Sequence, residues 1–347
     1  MTLYPNWCTL PAGARGCAVA LGNFDGVHRG HVHLLQSLRH ARDRALKTAN
    51  QSGAPVVPPL GVLTFDPHPR QFFRPQDPPF RLMSPALRAR TLEREQGVEH
   101  VFQMDFDEDF ARMPAEIFIR EVLIGALGVR HVACGADFAF GHRRGGDAAL
   151  LKELLPALGV GVTIVPQLAD TDGPVSSSRI RRLLQEGYPE RAAALLGRPW
   201  SIAGEVVRGD QRGRLLGFPT ANIRLGAHLE PARGVYAVRV RMPDGRVLPG
   251  VANIGRRPTI NDGQESRLEV HLFDVDEDLY GQTLEVALIS RLRPEKRFDG
   301  LEALKAAISA DAREARQLLA AGNSDVPGDS LANVKANAED IPPKTLP

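Results

Sequence analysis

The feature that most constrains this 347-residue chain is a change of hydrophobic period near residue 200. Before it, short apolar runs alternate with stretches whose apolar residues recur at helical spacing. After it, apolar and polar residues alternate one by one. The first pattern needs strands covered on both faces, and the second needs cover on one face only. One sheet does not satisfy both. The sequence therefore predicts a doubly wound, Rossmann-like α/β domain over 1–186 and a small antiparallel β domain over 187–320.

In the first domain GCAVALG (16–22), VVPPLGVLTF (56–65), HVFQMDF (100–106), HVACG (131–135) and GVTIVP (161–166) read as buried strands. A helix is predicted where Leu34, Leu35, Leu38, Ala41 and Ala45 recur, and others over 84–97, 114–128 and 146–159. Ser84 can cap the 84–97 segment, Pro85 suits its first turn and Gly97 its end. SSSRIRRLLQEG (176–187) reads as a short capped helix, with another inside YPERAAALLGRPW (188–200). In the second domain VYAVRVRM (235–242), RLEVHLF (267–273) and TLEVALI (283–289) alternate, which fits a barrel or sandwich. In RLEVHLF, Leu268, Val270 and Leu272 share one face, and Glu269, His271 and Phe273 the other. A helix is predicted from Asp299, with a stripe of Leu301, Leu304, Ile308, Ala312 and Ala315. Residues 321–347 lack aromatics and any period, so disorder is expected there.

Composition excludes some classes. No apolar run reaches the length of a membrane span, and the N-terminus lacks the pattern of a secretory signal. Three cysteines, Cys8, Cys17 and Cys134, make neither a disulfide framework nor a zinc motif, so the cytoplasm is the expected compartment. The net charge is only +2, with local arginine clusters at 143–146, 179–182 and Arg208, Arg212 and Arg214. Such clusters suit phosphate-sized anions rather than a nucleic-acid duplex. Neither nucleic acid nor membrane is expected as a partner.

The densest chemical signal is GNFDGVHRGH (22–31), which follows a predicted strand and opens a helix. Free N–H groups and the helix dipole favour phosphate at such a junction. Gly22, Gly26 and Gly30 allow close backbone approach, and His28 and His31 can hydrogen-bond phosphate oxygens. A metal site would need further ligands, and His33 is the only near addition. Ser176, Ser177 and Ser178 can cap a helix while donating hydroxyls to phosphate, which Arg181 can neutralise. Asp137 beside Phe138 and Phe140 offers a carboxylate next to aromatic faces that can stack on adenine or isoalloxazine. In GEVVRGDQRGRLLGFPTANI (204–223), Gly204, Gly209, Gly213 and Gly217 punctuate a basic loop, including Arg214, that can wrap phosphates. It matches neither a Walker A motif nor a protein-kinase glycine loop.

GNFDGVHRGH closely resembles the extended H-x-G-H motif of prokaryotic bifunctional riboflavin kinase/FAD synthetases. TFDPHPR (64–70), GADFAFGHRRGGD (135–147) and VSSSRIR (175–181) resemble later blocks of the same family, in order. The 204–223 segment resembles the riboflavin kinase signature ending in G-F-P-T-A-N. GVYAV (234–238), GVANIGRRPT (250–259), LEVHLFD (268–274), DLYG (278–281) and RLRPEKRF (291–298) agree. The resemblance spans about residues 15–318 and implies a six-stranded barrel behind a nucleotidyltransferase domain.

It also implies roles. Gly22, Asn23, Phe24, Asp25, Ser176, Ser177 and Arg181 would bind ATP beside the catalytic His28 and His31, with Asp137 and Phe138 on the flavin. Gly209, Gly213 and Arg214 would hold the second ATP, Thr220 and Asn222 its Mg²⁺, and Glu269 would act as base. Riboflavin would become FMN and then FAD, both steps drawing on ATP and Mg²⁺. Two other readings keep parts of this picture: a nucleotidyltransferase with another acceptor, such as nicotinamide mononucleotide, and a non-enzymatic flavin-binding protein.

Overall fold

Strands of which the inner ones are largely buried build the first sheet of the computed structural model, which describes residues 2–5, 7, 9–49, 57–209, 217–258 and 264–321. In chain order they are β1 (Thr2–Tyr4), β2 (Ala18–Leu21), β3 (Leu60–Asp66), β4 (His100–Asp105) and β5 (His131–Gly135). A short ribbon of β6 (Ala139–Phe140) and β7 (Gly146–Asp147) precedes β8 (Gly161–Val165), and β9 (Ala169–Asp170) and β10 (Gly173–Pro174) form another. The sheet runs β1-β4-β3-β2-β5-β8, all parallel. The edge strand β1 has no apolar run to announce it.

The helix Pro85–Gln96 follows its sequence signals. The Ser84 hydroxyl accepts the Leu87 N–H at 3.2 Å, Pro85 opens the first turn, and Gly97 ends it at φ 56°. Two expectations need correction. Strand β3 begins at Leu60 and not at residue 56, which lies outside the described residues; Pro58 and Pro59 have no N–H for a ladder. The 114–128 segment is α-helical only over Ala115–Ile117 and then widens to π-type turns over Phe118–Ala126.

The barrel comprises β11 (Trp200–Val207), β12 (Ala221–Arg224), β13 (Gly234–Arg241), β14 (Val247–Pro258), β15 (Gln264–Leu272) and β16 (Thr283–Arg293). It closes in the order β11-β12-β15-β14-β13-β16 with antiparallel pairing throughout. Leu268, Val270 and Leu272 are buried among Ile202, Ile223, Ile254 and Val286, so that face fills the interior. The opposite face is the barrel's exterior, and it is not uniformly open. Phe273 is 3% exposed because the helix Leu301–Ala321 covers it with Ala312, Ala315 and Leu319. The predicted stripe of that helix starts later than expected: Leu301 is 61% exposed. Beyond Ala321 the expected disordered tail lies outside the described residues.

The two halves share a core. Helices Ser177–Glu186 and Pro189–Leu196 bury Ile180, Leu183, Leu184, Leu195 and Leu196 in one cluster with Phe24, Leu82, Trp200 and the barrel interior. Polar contacts cross the same junction. The Trp200 indole donates to the Leu82 carbonyl at 2.7 Å, and the Leu229 N–H to that of Arg81 at 2.9 Å. Arg90 pairs with Glu285 at 2.7 Å.

Candidate functional site

A cleft of about 730 Å³ opens beyond the carboxyl ends of β2, β3, β5 and β8, where parallel α/β sheets bind ligands. Its floor is the turn between β2 and the helix Arg29–Ala49, and opposite lies the start of Ser177–Glu186. Neither helix carries an acidic residue in its own first turn, and both starts border the cleft.

His28 and His31 stack there, ring centroids 3.7 Å apart and 17° from parallel. The His31 N–H reaches His28 Nδ1 at 3.3 Å, and the His28 N–H reaches His31 Nδ1 at 3.3 Å. A ring nitrogen that accepts carries no proton, so both neutral rings hold theirs on Nε2. Burial lowers the pKa of His28 to about 4, against a partial opposing pull from Asp25, and Arg181 and Arg198 lower it further. Burial and the neighbouring His28 hold His31 well below the ordinary histidine range. The pair is thus two neutral donors at neutral pH. Gly30 makes room for it: a Cβ there would lie 3.0 Å from His28 Cε1.

Other predicted residues divide into those that face the cleft and those that hold it. Gly22 and Asn23 line it, and the buried Asn23 Oδ1 has no partner among the described residues. Phe24 is a correction. Its side chain is 0% exposed, packs 4.8 Å from the His31 ring and belongs to the core, so it is not on the cleft wall. Asp25, 4% exposed, accepts the N–H groups of Leu82 and Met83 and the Arg181 guanidinium, the last at 2.6 Å. Arg181 also donates to the Phe80 carbonyl at 2.8 Å, so its charge serves the fold as well as any ligand. Ser176 Oγ caps its helix, and Ser177 Oγ donates to the Asp25 carbonyl at 2.8 Å.

Asp137 and Phe138 lie on the cleft's other side. There the structure adds what sequence reasoning missed. Phe138 and Phe140 belong to a chain of ring contacts running through Phe118, Phe110 and Phe106 to Phe65, Phe72 and Phe73. Eight of the fourteen phenylalanines thus gather at one apolar wall. That density was the available signal. His68 also lines the cleft, its Nδ1 accepting the Arg70 N–H at 3.1 Å. Burial lowers its pKa to about 4. Among the described residues no cluster of histidine, cysteine or acidic side chains could hold a metal, and His33 joins no such cluster.

The second site lies outside the barrel. Glu269 pairs with Asn222 across β12–β15 and with Asn253 across β14–β15, so the three side chains share one face. Asn222 is 4% exposed; its Nδ2 donates to the Thr220 carbonyl at 3.3 Å, and its buried Oδ1 has no partner among the described residues. Gly209 passes over it: a Cβ there would meet Asn222 Nδ2 at 2.5 Å. His271 Nδ1 donates to the Pro219 carbonyl at 2.9 Å, tying β15 to the segment before Thr220. Gly213 and Arg214 lie outside the described residues. Asn253 was not singled out in the sequence, although it stands inside GVANIGRRPT.

A parallel α/β sheet with a cleft lined by histidines, serines and arginines, followed by a closed six-stranded barrel with a polar outer row, fits a two-domain transferase that handles phosphate groups. Residues 10–179 match the family model described as FAD synthetase, and residues 196–319 that described as riboflavin kinase. The chain belongs to the bifunctional riboflavin kinase/FMN adenylyltransferase family. It is 41% identical over 303 residues to the member from Escherichia coli K12, covering 87% of this chain and 92% of that one. It is 37% identical over 301 residues to the member from Bacillus subtilis, covering 86% and 90%. A crystal structure described as a macrolide-efflux protein from Streptococcus pneumoniae superposes with a TM-score of 0.78 at 33% identity, covering 91% of this chain and 98% of that one.

The chain is accordingly a bifunctional transferase of FAD biosynthesis, its FAD synthetase half preceding its riboflavin kinase half. This sets aside the non-enzymatic flavin-binding reading and nicotinamide mononucleotide as acceptor. Among the described residues no helix is long and apolar enough to cross a membrane.

Proposed function

We propose that the His28/His31 cleft carries adenylyl transfer and the outer row Asn222–Glu269 carries phosphorylation of riboflavin. The observation that carries the first assignment is the stacked pair of Nε2–H imidazoles, which stands between two helix starts free of acidic side chains. An FMN phosphate oxygen attacks the α-phosphorus of ATP, the bond to the β-phosphate oxygen breaks, and pyrophosphate leaves. The imidazoles donate to phosphate oxygens as charge shifts onto the leaving group. The phenylalanine wall offers the flavin ring a stacking surface, with Asp137 and Phe138 at its edge.

At the barrel, Glu269 takes the proton of the ribityl 5′-hydroxyl as that oxygen bonds to the γ-phosphorus, and ADP leaves. Positioning and charge stabilisation carry most of such a transfer. The residues fit a Mg²⁺ ion: the buried Oδ1 of Asn222, without a partner among the described residues, is an oxygen free to ligate it, next to Thr220. Thr220 and Asn222 would hold the ion, which supplies charge neutralisation to the ATP phosphates. Gly209 borders the same site, and Gly213 and Arg214 complete the proposed ATP loop. The buried free cysteines Cys17 and Cys134 suit a reducing compartment, and the cytoplasm is the proposed location. Neither nucleic acid nor membrane is proposed as a partner.

The test is a chromatographic time course of riboflavin, FMN and FAD with purified variants. His28→Ala should stop FAD formation and leave FMN formation intact, and Glu269→Ala should do the reverse. Loss of both reactions in a folded single variant overturns the two-site assignment.

A further inference from the structure

We propose that Arg198 is a positioning residue for adenylyl transfer: from the segment that leads into the barrel, its guanidinium sets the backbone turn that carries His28 and His31. The inference rests on reading those histidines as the adenylyl-transfer pair. Arg198 lies beyond the FAD synthetase match, which ends at residue 179, and inside the riboflavin kinase match.

The turn before His28 is held in an uncommon shape. Phe24, Gly26 and Val27 have φ of 52°, 87° and 41°, and a β-branched residue rarely adopts positive φ. Such a conformation persists only when its surroundings fix it. Arg198 Nη2 donates to the Gly26 carbonyl at 2.7 Å and Nη1 to the Val27 carbonyl at 3.1 Å. Two adjacent carbonyls aimed at one place repel, and a planar guanidinium fork satisfies both. The guanidinium is itself fixed by the Leu196 carbonyl at 3.4 Å and by Glu95 at 3.7 Å.

The link to the histidines is covalent. The Val27 carbonyl belongs to the same planar peptide as the His28 N–H. Arg198 holds one edge of that plane, and the other edge donates to His31 Nδ1 at 3.3 Å. Turning the plane would release the His31 ring and remove the contact that keeps its proton on Nε2. Arg198 thus acts through the backbone, without touching substrate.

The test uses Arg198→Ala and Arg198→Lys in the full chain, with His28→Ala as reference. FAD formation from FMN and ATP, riboflavin phosphorylation by the same preparations and the ¹⁵N shifts of the two rings are measured. Arg198→Ala should lower kcat for FAD formation on the order of 10- to 100-fold, with KM little changed. Riboflavin phosphorylation should persist, the His31 Nδ1 signal should move, and added guanidinium ion should restore part of the rate. Arg198→Lys keeps the charge without the fork and should also fall short of the parent. The inference is overturned if Arg198→Ala makes FAD at undiminished kcat, if the rate falls with both ring signals unmoved, or if both activities fall together. Full FAD formation by His28→Ala would instead sink the underlying reading.

Discussion

Gly30→Ala separates stability from catalysis at the first site. Gly30 is the second residue of the helix Arg29–Ala49, where alanine is the better helix former by up to about 1 kcal/mol. Against that gain stands the added Cβ, 3.0 Å from Cε1 and 3.1 Å from Nδ1 of His28, and 3.2 Å from the Val175 carbonyl. Comfortable contact needs about 0.5 Å more. His28 has little room to yield, because it is 6% exposed and stacked on His31 at 3.7 Å. The crowding offsets the helical gain, so net stability should change by less than about 1 kcal/mol. A ring displaced by about 0.5 Å should cost roughly tenfold in kcat for FAD formation, equivalent to about 1.4 kcal/mol. The assay is FAD formation from FMN and ATP, with riboflavin phosphorylation as internal reference and urea unfolding alongside. An unchanged kcat together with raised stability would refute the reasoning, since the stack would then tolerate displacement.

Three further outcomes follow from buried groups. Asp25→Ala strands the Arg181 cation and two backbone N–H groups, and should lower stability by about 3–5 kcal/mol in urea denaturation. His28 titrates near 6.5 when unfolded and about 4 in the fold, so its contribution is complete above pH 6.5 and lost as pH falls towards 4. Acidification across that window should remove about 3 kcal/mol through His28, besides what the depressed His31 and His68 lose, and His28→Gln should lessen the fall in a pH series of urea midpoints. Trp200→Phe leaves the Leu82 carbonyl without its indole donor and should cost about 1–3 kcal/mol, read as a lowered urea midpoint.

What could be read from the sequence was local. Ser84, Pro85 and Gly97 mark a helix whose ends depend on adjacent residues only, and those ends appear where the signals put them. The alternation of Leu268, Val270 and Leu272 with Glu269 and His271 correctly divides interior from exterior, because a pleated strand has no other option. The same alternation missed Phe273, since a helix from far along the chain covers it. Phe24 looked like part of a ligand motif because its neighbours line the cleft; its burial depends on Leu82 and the junction helices, which no short window contains. Asn253 and Arg198 were missed for the same reason. Asn253 reaches the outer row through its register with Glu269, and Arg198 reaches the Gly26 and Val27 carbonyls through a return of the chain to a turn it left long before.

The common core at the junction also bears on inheritance. A fragment ending at residue 179 stops in the first turn of Ser177–Glu186, before Ile180, Leu183 and Leu184 have been supplied. Such a fragment should not complement a strain that lacks FAD formation, although it holds every histidine of the first site. A lesion that loosens the barrel interior should likewise cost a cell both flavin nucleotides at once. Selection on either product therefore keeps watch over the apolar residues of the other half, and the two steps pass between generations as a single heritable unit.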